Sequence, residues 1–120
     1  MALDVLVALR ASGCEAAGYR LAGAVLDYVC CRHLYGGDRM LIAWPADDHA
    51  VVILVAPHDR TANDVYRRLL DALDIGEPED DREKPPCCDE AGQPPADRNV
   101  ALDVADAVER RERAGRRRAR

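Results

Sequence analysis

Residues 28–56 read YVCCRHLYGGDRMLIAWPADDHAVVILVA, and the reading of this stretch decides the fold. Residues 28–34 (YVCCRHL) favour a strand, Gly36-Gly37-Asp38 has the form of a hairpin turn, and residues 39–44 (RMLIAW) give a second strand. Residues 45–48 (PADD) place proline at the start of a turn with aspartates behind it. Residues 51–56 (VVILVA) are apolar at every position, which marks a third strand, apolar on both faces and hence expected at the centre of the sheet. Alternation along the second strand puts Arg39, Leu41 and Ala43 on one face and Met40, Ile42 and Trp44 on the other. Arg39 is thereby expected to point away from the core that the second set builds.

Upstream, residues 2–11 (ALDVLVALRA) carry Leu3, Leu6, Val7 and Leu9 in a pattern that suits a helix, and Ser12-Gly13 supplies its stop. Residues 14–27 stay ambiguous, because Leu21, Val25 and Leu26 could line a helix that Gly18 and Gly23 weaken. Downstream, Thr61 with Asp64 three residues on is a variant capping box, so a helix from about Ala62 is expected. Val65, Leu69 and Leu73 then fall at i, i+4 and i+8 with Leu70 beside them, one stripe that must cover something. The order helix, strands, helix implies an α+β domain, a small antiparallel sheet of about three strands with helices on one face, ending near Ile75.

With 120 residues the chain can build one small core and not two. Its longest apolar run, residues 50–57, is strand-sized, so no membrane span is expected. The N-terminus shows neither the basic n-region nor the cleavage site of a secretory signal. Cys14, Cys30, Cys31, Cys87 and Cys88 are odd in number and partly vicinal, which reads as reduced thiols of a cytoplasmic protein rather than a disulfide framework.

The net charge of −5 opposes a nucleic-acid partner until it is located along the chain. Residues 1–75 carry 7 basic and 10 acidic side chains, residues 76–97 carry 2 and 8, and residues 98–120 carry 8 and 4. The middle piece, GEPEDDREKPPCCDEAGQPPAD, holds five of the seven prolines, no branched aliphatic residue and no aromatic, and reads as an acidic linker. In the last piece Val100, Val104 and Val108 form a thin helical stripe ahead of RRERAGRRRAR, a basic tail that is either a solvated end or an electrostatic arm for nucleic acid. The acidity is thus concentrated outside the expected domain of residues 1–75, which is itself only mildly acidic.

The ordered series across residues 19–74 resembles the RelE branch of the RelE/ParE toxin superfamily, small cytosolic bacterial proteins encoded beside an antitoxin. Arg20-Leu21-Ala22-Gly23 looks like the family's K/R-L-x-G. Gly37-Asp38-Arg39 opens a strand with a basic residue after a glycine turn, an apolar strand follows at residues 51–55, and His58-Asp59-Arg60 stands at the strand-end basic motif. Val65-Tyr66 follows six residues after that arginine. The resemblance implies a RelE-like mRNA interferase, an endoribonuclease acting on ribosome-bound mRNA, that needs no cofactor and has a cognate antitoxin as partner. The family's first strand and helix have no counterpart before residues 1–11, which implies an N-terminally shortened member, and Cys30 stands where active relatives carry a basic residue.

Cleaving RNA requires donors on a phosphate that gains negative charge, together with groups that take the 2′-hydroxyl proton and protonate the leaving 5′-oxygen. By resemblance Arg39 and Arg60 would clamp the phosphate, Tyr66 would serve base stacking and proton transfer, Arg32 would add positive charge, and His58 would assist at the RNA. Each has a structural counterpart: an edge arginine, a turn residue, a packing tyrosine, a strand-end histidine; His33 and His49 read as exposed. Two alternatives stay open. One is a ParE-like protein binder without catalysis, or an inactive remnant of such a toxin. The other is a small metal-binding module using Cys30, Cys31, His33, Cys87 and Cys88, against which stands the vicinal spacing of the cysteines.

Overall fold

The computed structural model describes residues 2–21, 23, 25–76 and 85–118. Residues 28–56 form the expected meander: β2 (Val29–His33), β3 (Asp38–Ala46) and β4 (His49–Pro57), ahead of which β1 (Tyr19–Arg20) adds a short edge. Among the described residues the sheet is antiparallel in the order β1-β2-β3-β4, one strand more than the sequence reading, and β4 lies at an edge with Val52 and Val55 exposed rather than at the centre. β1 is two residues long, too short for a period-two pattern to announce it.

The register runs Cys31–Leu41–Leu54 and His33–Arg39–Ala56 across three strands. The Leu41 face, with Val29, Cys31, Leu54 and Ala56, packs against Val65 and Leu69 of α2 (Val65–Leu73) and Val104 and Val108 of α3 (Arg98–Arg118). The opposite face, with Cys30, Met40, Ile42 and Trp44, packs against Val5 and Leu9 of α1 (Ala2–Ser12) and against Cys14, Ala17 and Cys87. The domain is α+β as expected, but helices cover both faces. Arg39 shares its face with a core and lies at that core's rim, not on a bare surface.

The expected boundary near Ile75 does not hold. α3 supplies buried Ala101, Val104 and Val108 on the very stripe that read as a tail, and Arg68 of α2 forms an ion pair with its Glu112. Residues 85–97 are also not a free linker: Pro86 bridges Tyr19, the Arg20 amide donates to Pro85 O at 2.8 Å, and the Asp97 amide donates to Trp44 O at 2.9 Å. Residues 77–84 of that expected linker, and residues 119–120 of the tail, lie outside the described residues.

The cysteine reading is corrected as well. Disulfides join Cys14 to Cys88 and Cys30 to Cys87, while Cys31 is a buried thiol. The vicinal cysteines do not bridge each other; Cys87 and Cys88 reach different partners, one in β2 and one in the turn after α1. Gly18 makes the approach workable. Its φ of +77° is a left-handed conformation, a side chain there would collide with the Cys31 carbonyl, and its own carbonyl accepts from the Cys87 amide at 2.9 Å.

Candidate functional site

At the end of the sheet where β2 turns into β3, polar side chains gather at the rim of the core under α2. β-pairing places His33 directly across from Arg39, and Arg39 across from Ala56, two residues before His58. The Gly37 carbonyl ties the strands there: it accepts from the His58 amide at 3.2 Å and from Arg39 Nη1 at 2.9 Å. Arg39 Nη1 also donates to Asp38 O at 3.3 Å, whereas its Nε is buried and meets no acceptor among the described residues. Nε is thus a buried donor that the fold leaves unsatisfied.

Tyr66 enters from the first turn of α2. Its hydroxyl shares hydrogen bonds with Tyr19 Oη at 3.0 Å and with Cys31 Sγ at 3.2 Å, and its ring meets His58 edge-to-face with centroids 4.8 Å apart. Tyr19 Oη continues the chain to His33 Nε2 at 3.1 Å. Burial pushes the Tyr66 hydroxyl up, and the adjacent Cys31 thiol and Tyr19 hydroxyl add to the rise. Burial likewise raises Tyr19, partly offset by the hydrogen bond from Tyr66 and the positive charge of Arg39. Both phenols thus stay protonated at neutral pH and can act as donors, not as bases.

Asp64 organises the other half of the site. It is the N-cap of α2, so the helix starts at Val65, three residues later than about Ala62 as expected from Thr61. Thr61 instead closes a turn on Asp59, donating through its amide and hydroxyl to Asp59 Oδ1. Asp64 Oδ2 accepts from the amides of Tyr66 and Arg67, each at 3.1 Å. Oδ1 accepts from the Asp59 amide and from His58 Nδ1, each at 2.8 Å. Burial works to raise the Asp64 carboxyl, but the bond from His58 and those from the amides outweigh it and hold it below the usual carboxylate range. An ionised carboxylate only accepts, so the proton of neutral His58 sits on Nδ1 and the lone pair on Nε2. The His58 side chain is 50% exposed. The pair is an aspartate–histidine dyad built into a helix cap, an arrangement that orients the imidazole through its Nδ1 proton.

Asp64→Ala removes four hydrogen bonds at once and should destabilise the domain by about 2 kcal/mol or more in urea melts. A loss under about 0.5 kcal/mol would mean that water replaces the cap without cost. The lowered Asp64 pKa also fixes a sign. Its contribution is fully present above the unfolded-state value of about 4 and disappears as pH falls through the lower folded value. Urea midpoints measured from pH 6 downward should fall in that acid window for the native chain, and by less for Asp64→Asn.

Of the side chains expected from sequence, the structure brings Arg39, Tyr66 and His58 together and leaves two out. Arg32 lies between Cys31 and His33, so it emerges on the opposite face of β2, across from Met40. Arg60 is exposed in the turn before α2 and makes no hydrogen bond or ion pair with the cluster among the described residues. Tyr19, His33, Cys31 and Asp64 were not singled out as members. His33 was within reach of sequence: a hairpin turning at Gly36-Gly37 sets position 33 opposite position 39. Tyr19 carried no such signal.

The described residues contain no cluster of three or more metal-ligating side chains, and disulfides occupy Cys30, Cys87 and Cys88 of the five that a metal module would use. Compared with protein-family models, with curated proteins and with solved structures, the chain finds no match in any of the three.

Proposed function

We propose that the protein is a RelE-like endoribonuclease, the toxin of a type II toxin–antitoxin pair, acting on mRNA at the ribosome in the cytoplasm and held in check by a cognate antitoxin. The observation that carries this reading is the meeting of Arg39, His58 and Tyr66 at one end of the sheet, three residue types that RNA cleavage needs, from three separate elements. In this reading Arg39, held at the turn by the Gly37 and Asp38 carbonyls, donates to the scissile phosphate through its terminal nitrogens. His58 Nε2 takes the proton from the 2′-hydroxyl while Asp64 steadies the imidazolium. The 2′-oxygen then bonds to phosphorus, the bond to the 5′-oxygen breaks, and that oxygen takes a proton from water while the His58 imidazolium later gives its proton back to solvent. Tyr66, kept protonated, donates to the phosphate or stacks on a base rather than acting as the base.

A second reading, a protein-binding relative without catalysis, is favoured by one observation: the Tyr66 hydroxyl is satisfied inside the fold by Tyr19 and Cys31. Induced expression in bacteria with sequencing of mRNA 5′ ends separates the two. Growth arrest with new cleavage ends in translated regions supports the nuclease. Arrest with intact mRNA supports the binder, and normal growth contradicts both. In a reducing cytoplasm both bridges would open, so this reading also requires the reduced chain to stay folded, which urea melts in the presence of a thiol reductant test.

A further inference from the structure

The arginine run of residues 110–120 takes no part in the cluster, yet the fold directs it there. The Asp97 amide donates to Trp44 O, so α3 starts at the end of β3 remote from Arg39. Val104 and Val108 then pack in the core with Leu41, Leu54 and Ala56, and Glu112 forms an ion pair with Arg68, one turn into α2 from its N-cap Asp64. From Trp44 back to Asp38 the sheet measures about 20 Å. At about 1.5 Å per residue, α3 has covered that length by the time it reaches Glu112. The rest of α3, ending at Arg118, therefore runs on past the end of the sheet that carries Arg39 and His58.

Residues 110–120 (RRERAGRRRAR) hold seven arginines against one glutamate. That glutamate, Glu112, is held by Arg68, while Arg110 and Arg113 lie in exposed pairs with Asp106 and Glu109 on the same helix. Surface pairs of this kind are weak and yield to a stronger anion. Arg111 is exposed, as is Arg67 on α2, and neither side chain has a hydrogen bond or ion pair among the described residues. The Arg68–Glu112 pair sets the turns that carry them side by side. The run contains no aromatic side chain and no aliphatic one larger than alanine, so it offers no seat for the apolar anchors of a peptide and no face for insertion into a lipid surface. Closely spaced guanidiniums without apolar neighbours fit phosphates held along a chain. We propose that the C-terminal turns of α3, with Arg67 and Arg111 at their base, form a sequence-independent docking surface for the phosphate backbone of single-stranded RNA, beside the Arg39–His58 end of the sheet. The choice of RNA among polyanions rests on the nuclease reading of that end.

Fluorescence anisotropy of a labelled single-stranded RNA tests it, on the full oxidised chain carrying His58→Gln so that the probe stays intact, with circular dichroism as the check on folding. Binding should weaken steeply with salt, since each phosphate neutralised adds about 0.7 to the slope of log affinity against log salt. Arg67→Gln with Arg111→Gln should cut that slope by about 1.4 and the affinity at low salt by about tenfold. Arg116→Gln, Arg117→Gln and Arg118→Gln together should weaken binding further, and RNA of scrambled sequence should bind equally well. Arg10→Gln, on α1 across the sheet, should change nothing. Absence of binding at about 50 mM salt, or binding indifferent to both sets of arginine variants, overturns the proposal. Capture by vesicles of anionic phospholipid without binding of RNA overturns it too. The two readings fail separately. A native chain that cleaves RNA while its binding ignores these arginines loses only the docking surface; a chain that binds through them and cleaves nothing loses only the nuclease.

Discussion

Reducing both disulfides should remove most of the domain's stability. Cys14–Cys88 and Cys30–Cys87 close loops of 74 and 57 residues in sequence separation. Loop-closure entropy assigns about 4 kcal/mol to the first bridge formed and about 3 kcal/mol to the second, which closes a much smaller loop once the first is in place. Small domains are stable by only about 5–15 kcal/mol, so the sum is comparable to the whole. The bridges also do what apolar burial cannot do here. Residues 85–97 bring few large hydrophobic side chains to the core; backbone hydrogen bonds to Gly18, Arg20 and Trp44 and the two covalent links hold them instead. Urea melts with and without a thiol reductant give the measurement. The midpoint should drop steeply on reduction, and the double variant Cys30→Ser with Cys87→Ser should reproduce part of the loss. Equal midpoints in both conditions would show that α2, α3 and the sheet suffice without this segment.

If the proposed nuclease reading holds, Arg39→Ala should lower RNA cleavage by about 10²–10³-fold, because in that reading it removes the donors nearest the developing phosphate charge. His58→Gln should lower it by about 10²–10⁴-fold, the usual worth of a positioned general base. The glutamine variant is the cleaner of the two, since its amide can still donate to Asp64 Oδ1 and keep the cap of α2 intact. Asp64→Asn should fall between, with a shifted pH–rate profile, because His58 loses the carboxylate that fixes its tautomer. Arg32→Ala and Arg60→Ala should leave the rate of the chemical step nearly unchanged: Arg32 emerges on the far face of β2, and Arg60 stands apart from the cluster. A rate loss for Arg60→Ala equal to that for Arg39→Ala would move the phosphate site toward the turn before α2.

The meander was legible because β3 and β4 are long and apolar, and their turns carry glycine, proline and aspartate. Arg39, His58 and Tyr66 were named through the family resemblance; that they lie at one end of the sheet follows from strand register and the first turn of α2, which are local geometry. What escaped was non-local. β1 is two residues long, and Tyr19 joins the site only because that short strand pairs with β2. The linker reading of residues 76–97 failed for a definite reason: composition measures the capacity for apolar burial, and the described part of this segment is anchored by disulfides and backbone pairing. The valine stripe of α3 was visible as Val100, Val104 and Val108, but the basic residues beyond it masked how firmly Val104 and Val108 are buried. Arg110 and Arg113 are paired within the helix to Asp106 and Glu109, so part of that positive charge is already balanced.

Incubation of the purified chain with translating ribosomes, followed by chemical identification of the RNA ends, is the most direct test that the Arg39–His58–Tyr66 cluster cleaves RNA. Attack by the 2′-oxygen predicts fragments ending in a 2′,3′-cyclic phosphate and beginning with a 5′-hydroxyl, formed by the native chain and nearly absent with Arg39→Ala or His58→Gln. Intact RNA with the native chain, or fragments ending in a 3′-hydroxyl, would contradict it.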